Sequence, residues 1–231
     1  MKVFAISDLH LSTSVSKPMD VFGDGWVDHF EKIKADWQSK VSKDDLVLLG
    51  GDISWASNLD EAESDFELLK QLNGTKVVCK GNHDYWWSTL TKIGNRFPYI
   101  NFIQNNCFVF GNYIIVGTRG WNIVNDSSTE EDKKIYEHEL FRLELSLRSA
   151  KAVQRGEKII ALLHFPPFDA DFKESDATKM LESYGVAKAL YGHLHGKNVR
   201  VIPKMTKNNV EYILTSCDLI DYKLVEVDCD N

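Results

Sequence analysis

Five of the chain's seven histidines, with two aspartates and one asparagine, fall where apolar runs give way to polar residues. The first run, Lys2-Val3-Phe4-Ala5-Ile6, ends in Asp8-Leu9-His10, and Asp45-Leu46-Val47-Leu48-Leu49 ends in Gly50-Gly51-Asp52. Val77-Val78-Cys79-Lys80 leads into Gly81-Asn82-His83-Asp84, Lys158 to Leu163 into His164, and Ala187 to Tyr191 into Gly192-His193-Leu194-His195. Imidazole nitrogens, carboxylate oxygens and an amide oxygen are the donors that hold borderline transition metals, whereas calcium and magnesium prefer all-oxygen shells. In an extended segment, residues two apart share a face, so Asp8 with His10, and His193 with His195, can meet one cation. Asp52 has two oxygens and is the candidate bridge between two cations.

Any one of these residues could be an ordinary polar side chain at a strand end. Their coincidence at five run ends points to a shared crevice, because ligands of open α/β sheets bind at the carboxyl ends of the strands. Gly81 is expected to let the backbone turn sharply into that crevice.

The elements that must position these groups alternate between buried strands and amphipathic helices, the pattern of a parallel sheet. Trp26, Phe30, Ile33 and Trp37 recur at helical spacing, after a loop at 11–24. Asn58 is expected to cap a helix to about Leu72, and a short helix is expected from Ser88 to about Arg96. Residues 108–116 read as a β-hairpin turning at Gly111-Asn112, and 122–127 as a polar flap. Ser128 with Glu131 has capping-box spacing, and Tyr136, Leu140, Leu143, Leu147 and Ala150 carry the longest helix to about Arg155. A helix is expected over Asp176 to Tyr184. Val199 to Val201, Val210 to Leu214 and Lys223 to Val227 read as antiparallel strands, with Asn208-Asn209 as a turn.

At 231 residues, with 43% hydrophobic and 26% charged residues, the chain fits one globular domain, 1–231. The N-terminal apolar run reaches Ser7 and Asp8 too soon for a secretory segment or a membrane span, so a cytoplasmic protein is expected. Cys79, Cys107, Cys217 and Cys229 lack metal-binding spacing and read as reduced thiols. A formal charge of −7 argues against a sequence-independent nucleic-acid binder, which needs a cationic surface. A small anionic substrate remains compatible, since bound cations can dominate the local field.

Taken together, the motifs resemble those of the calcineurin-like metallophosphoesterase superfamily: DxH, GD, GNH[DE], H and GHxH, in that order. The resemblance implies a four-layer αββα sandwich with mixed sheets and a dinuclear metal site at the strand C-terminal ends. It implies one metal on Asp8, His10, Asp52 and His195 and a second on Asp52, Asn82, His164 and His193. Mn, Fe, Zn, Co or Ni suit those donors. A water acidified by two cations would attack phosphorus in line. His83 carries no metal in this scheme; by resemblance it protonates the leaving oxygen or steadies the transition state, and Asp84 orients it or a neighbouring ligand.

A small-molecule phosphodiester or phosphomonoester is the expected substrate. Protein serine/threonine phosphatases of the superfamily carry Asp-Arg-Gly after the GD motif, where this chain has Ile53-Ser54-Trp55. Lys80 stands where those enzymes place an arginine, but as a point charge rather than a fork. A non-catalytic scaffold of the same fold is the alternative from another class, disfavoured because every ligand position is present; a nuclease is disfavoured by the acidic chain. Arg119 is a candidate phosphate contact. Trp55, Tyr85, Trp86, Trp87 and Trp121 follow strand ends, either packing helix starts or forming a stacking wall for the substrate.

Overall fold

A computed structural model describes residues 1–196 and 198–227. The first sheet grows from β1 (Val3–Ile6), β2 (Leu46–Leu49), β3 (Thr75–Cys79) and β4 (Ile100–Ile103), paired in parallel. The helices α1 (His29–Lys40), α2 (Leu59–Lys70) and α3 (Leu90–Arg96) lie in the connections between these strands. The hairpin β5 (Phe108–Phe110) and β6 (Tyr113–Thr118) opens the second sheet. After α4 (Glu130–Val153) come β7 (Lys158–Leu163), α5 (Asp176–Ser183), β8 (Val186–Tyr191), β9 (Lys204–Lys207) and β10 (Val210–Leu214). Finally β11 (Val225–Glu226) returns antiparallel to β1, so the sheet orders are β11-β1-β2-β3-β4 and β5-β6-β7-β8-β10-β9.

Alternation along the strands explains the layering. Phe4, Ile6, Val47, Leu49 and Val78 face one way, onto Ile33 and Trp37 of α1, Phe66 and Leu69 of α2, and Ile93 of α3. Their neighbours Val3, Ala5, Leu46, Leu48, Val77 and Cys79 face Ile115, Ile160, Leu162, Leu190 and Ile213 of the second sheet. That sheet's outer face, including Ile114, Val116, Ile159 and Ala161, meets Leu143 and Leu147 of α4 and Leu181 of α5. Strands buried on both faces must read as continuous apolar runs, which is why the run ends were visible in the sequence. The result is the αββα sandwich with two mixed sheets.

Several sequence expectations need correction. Trp26 belongs to a 3₁₀ turn, Asp24–Trp26, and α1 starts only at His29. The capping box of α4 is Thr129 with Asp132, not Ser128 with Glu131; Ser128 instead accepts the Asn125 N–H. The helix expected from Ser88 begins at Leu90, capped by Thr89. Val199–Val201 forms no strand; β9 follows it, and β10 pairs parallel with β8 as well as antiparallel with β9. The strand β4 has no counterpart among the sequence expectations, because polar Asn101 breaks its short apolar run. Asn58 caps α2 as expected, and Asn208-Asn209 has the left-handed backbone of a turn. Cys79, Cys107 and Cys217 are free thiols, while Cys229 lies outside the described residues. No helix among the described residues is long and apolar enough to cross a membrane.

Lys76, near the start of β3, is 5% exposed and donates from Nζ to the carbonyls of Leu72 and Gly74. Burial pushes its pKa down to about 8. The folded chain then holds fewer protons than the unfolded chain from about pH 8 to about pH 10, so this group's contribution to stability rises with pH across that window. Lys76→Met is expected to raise stability at neutral pH by up to about 3 kcal/mol and to flatten the rise. Urea midpoints at pH 7 and pH 10 check this; identical pH dependence in both proteins would count against it.

Candidate metal centre

The candidate residues gather at one rim, where β1, β2, β3, β7 and β8 end. Asp8, Asp52, His10 and His164 are at most 3% exposed. Asp8 Oδ1 lies 3.3 Å from His195 Nε2, and His10 Nε2 lies 3.5 Å from His195 Nε2 and 3.9 Å from Asp52 Oδ2. On the other side Asp52 Oδ2 is 3.4 Å from His164 Nε2. Asn82 Oδ1 is 2.7 Å from His164 Nε2 and 3.0 Å from His193 Nδ1. Asp8, His10 and His195 form one group with donor atoms within 4.8 Å of one another; Asp8, Asp52 and His164 form another.

The backbone reaches this geometry differently from the extended segments the sequence suggested. Asp8, His10, Asp52 and His193 all have left-handed φ values, 61°, 46°, 51° and 70°. Asp8 and His10 therefore converge through turns beyond the strand end, whereas His193 and His195, expected to meet one cation, turn to different groups: His193 Nδ1 lies by Asn82, and His195 Nε2 by Asp8 and His10. Gly81 also has a different role: its φ is not left-handed, but a Cβ there would lie 2.1 Å from both the N and Oδ1 of Asp52. Glycine is required by close approach, as at Gly192, where a Cβ would meet Ser7 Oγ at 2.2 Å.

Hydrogen bonds orient the donors. His164 Nδ1 is 2.9 Å from the Gly50 carbonyl, which leaves Nε2 facing Asp52 and Asn82. His195 Nδ1 is 2.8 Å from Asp218 Oδ1, and Asp218 Oδ2 accepts the Gly196 N–H. Asp8 Oδ2 accepts from Ser7 Oγ and, with Oδ1, from the His193 N–H.

Asp84 is one of the catalytic candidates. Its wholly buried carboxylate accepts the N–H groups of Asp52, Ile53, Ser54 and Gly81 and the indole N–H of Trp86. It thereby ties the end of β2 to the end of β3. Burial pushes its pKa up to about 6, with Asp52's charge adding to the effect.

His83 sits beside the cluster, its ring centroid 5.8 Å from that of His10. Its backbone N–H donates to Asp52 Oδ1, and its buried Nδ1 has no hydrogen-bond partner among the described residues. Trp55 flanks it at 4.5 Å and stacks on His10 at 4.9 Å. Trp86 and Trp87 instead pack around Phe102, as helix-start residues should, and Tyr85 is exposed. Trp121 donates its indole N–H to Asp132, lies 5.2 Å from Phe165 and has the Arg119 guanidinium 4.7 Å above its ring. A cavity of about 430 Å³, lined by Phe165, Phe168, Phe172, His193 and Leu194, lies beside the cluster.

The electrostatics favour cations here. Burial opposes charge on His164, yet Asp52 and Asp8 raise its pKa to about 9. Likewise His195, against its burial, is pushed up to about 10 by Asp218 and Asp8. Burial pushes His10 and His193 down to about 4, leaving neutral imidazoles suited to ligation. Asp8, despite complete burial, is held below the usual carboxylate range by its His195 hydrogen bond and three imidazoles. Acceptor atoms this close, on two carboxylates and several imidazoles, fit divalent cations.

Sequence reasoning missed Asp218 and Trp26. Asp218 sits in a 3₁₀ turn, Cys217–Ile220, held against the end of β1 by Cys217 N–H to Ser7 O. Trp26 lies 6.0 Å from His10 and 5.6 Å from His195. No motif marks either. Asp218→Asn is expected to weaken metal affinity by about 10- to 100-fold, the usual effect of removing a carboxylate that orients a ligating histidine. Metal titration followed by calorimetry measures it; an unchanged affinity would remove Asp218 from the site.

The calcineurin-like phosphoesterase family matches residues 1–197. No curated protein sequence matches. Among solved structures, the phosphopantetheinyl hydrolase of Mycobacterium tuberculosis has 14% identity and a TM-score of 0.61, covering 99% of this chain and 96% of its own. The protein TT1561 of Thermus thermophilus has 14% identity and a TM-score of 0.62, covering 98% and 97%. A protein of unknown function from Aquifex aeolicus has 13% identity and a TM-score of 0.51, covering 97% and 95%. At such identities these likenesses concern the fold. The family match, which extends through the GHxH motif, is the stronger statement: the chain belongs to the calcineurin-like phosphoesterase family.

Proposed function

We propose that this chain is a phosphoester hydrolase that uses two divalent transition-metal ions on a small-molecule phosphodiester or phosphomonoester. The observation that carries the reading is the convergence, at one rim, of Asp8, His10, Asp52, Asn82, His164, His193 and His195. Asp8, His10, Asp52 and His195 would hold one ion, and Asp52, Asn82, His164 and His193 the other. When bound, such ions supply Lewis acidity to a phosphoryl group and acidify the attacking water.

The chain's own residues do the rest. Asp52, its Oδ1 occupied by the His83 N–H, keeps Oδ2 for the cations. His83, outside both ligand groups and with its ring beside His10, is the group placed to give a proton to the leaving oxygen or to steady the transition state. Trp55 holds its ring by contact. Asp84 acts as a positioning residue, through the backbones of Asp52 and Gly81. The protein serine/threonine phosphatase reading gains no support, since Ile53 and Ser54 N–H groups are used by Asp84 and no arginine follows Asp52 there.

The test measures initial rates after Mn²⁺ reconstitution on bis-p-nitrophenyl phosphate, p-nitrophenyl phosphate and a phosphopantetheine diester. The last is included because of the likeness to the phosphopantetheinyl hydrolase. Turnover of at least one ester is expected, and His83→Ala should lower kcat by about 100-fold or more with metal content intact. Two bound metals with no turnover of any ester would favour the scaffold reading, and full activity in His83→Ala would remove its role.

A further inference from the structure

Beside the metal centre, the C-terminal ends of β3, β4 and β6 and one face of α4 enclose a second cavity, of about 210 Å³. One water needs only on the order of 10–15 Å³ of such space. Lys80, Arg119 and Arg142 line it, with Asn105 and Thr118 among the polar groups around them. The single carboxylate among its lining residues, Glu139, is already engaged. It accepts from Thr118 Oγ1 and from an Arg119 terminal nitrogen, and lies 3.8 Å from Arg142 Nε. Three cations thus face one anion.

Neither Arg119 Nε nor Arg142 Nε, both buried, has a hydrogen-bond partner among the described residues. Lys80 Nζ makes no hydrogen bond among them either. A packing cluster would balance its charges; this one holds an excess beside open, polar space.

The cavity is built on the same rim as the metal centre. Lys80 precedes Asn82 by two residues, and the Arg119 carbonyl accepts the N–H groups of His164 and Phe165 at 3.2 and 2.8 Å. Glu139, braced by Thr118, fixes the side of the Arg119 fork that it binds and leaves other donors for a ligand.

We infer that this cavity is an anion site that holds a second phosphate of the substrate, separate from the one that is hydrolysed. The substrate class is therefore a phosphoester that carries a further phosphate. The inference rests on the hydrolase reading for the word substrate, but not for the anion site itself.

Two measurements on the metal-loaded chain test it. Calorimetric titration with inorganic diphosphate should show a binding class that persists when the metals are chelated. Arg142→Gln should weaken that class by about tenfold or more, the value of one charge-assisted contact. Asn105→Asp, at a position whose φ of 63° suits aspartate, should weaken it too by repulsion, without touching α4. The kinetic arm compares thymidine 5′-(p-nitrophenyl phosphate) with its 3′-phosphorylated analogue. The added phosphate should raise kcat/KM through KM by about tenfold, and Arg142→Gln should remove that advantage.

Turnover with no response of either measurement to Arg142→Gln overturns the inference and leaves the hydrolase reading standing. Diphosphate binding that responds to Arg142, with no advantage from the added phosphate, means a free anion occupies the cavity and overturns the substrate assignment. No turnover of any ester, with that binding intact, overturns the hydrolase reading and the substrate assignment while supporting the anion site.

Discussion

Asp52→Ala is expected to cut phosphoester turnover by about 1000-fold or more, roughly 4 kcal/mol of barrier. The reason is that one side chain serves both halves of the proposed centre. Its Oδ2 lies within 4 Å of both His10 Nε2 and His164 Nε2, while Oδ1 fixes the His83 backbone. Removing it leaves two groups of donors with no shared charge between them, so the variant should retain at most one ion per chain. Asp52→Asn, which keeps the shape and one oxygen but loses the charge, should fall between. Elemental analysis beside initial rates decides the matter: an alanine variant with two ions and wild-type rate would end the bridging assignment.

The second large effect concerns the fold. Asp84→Ala is expected to destabilise the protein by about 4 kcal/mol or more, because each buried donor left without an acceptor costs about 1–3 kcal/mol. Five donors converge on that carboxylate, and both Asp84 and Trp86 are buried. Asp84→Asn should recover only part of the loss, since its amide nitrogen would confront an N–H group. Urea denaturation of both variants provides the measurement. A loss below about 1 kcal/mol in the alanine variant would mean that neighbouring acceptors replace the carboxylate.

The strands and the proposed ligands were legible for one shared reason. Strands buried on both faces leave long apolar runs, and groups that must face the crevice interrupt those runs at their ends. His164 after Leu163 and Asp52 after Leu49 are therefore visible without any alignment. What the sequence hid was tertiary. Asp218 reaches His195 from a turn after β10 in a stretch with no motif, and Arg142 joins Lys80 only because α4 crosses the ends of β3 and β6. Trp55 and Trp86 look alike in sequence, yet one stacks on His10 and the other is enclosed by Phe66, Phe97 and Phe102. The spacing argument for Asp8 with His10 reached the right neighbours by the wrong geometry, since both lie past the end of β1 in left-handed conformations.

Those left-handed residues carry a consequence for how the protein meets its metals. A non-glycine residue held in that region costs of the order of 1–3 kcal/mol, and it persists only where surrounding bonds over-determine it. Here Asp8 N–H is fixed to Gly51 O, His10 N–H to Asp52 O, and Asp52 N–H to Asp84 Oδ2, in the turns just past the ends of β1, β2 and β3. Folding therefore imposes the unfavourable conformations before any ion arrives. This is the reverse of a zinc finger, where coordination drives folding. Chelation should empty this centre and leave the sandwich standing, and reloading should need no refolding. A rigid set of mixed donors imposes its own geometry on any ion that enters, so the choice among metals should follow fit to that geometry and the supply of each metal rather than raw affinity.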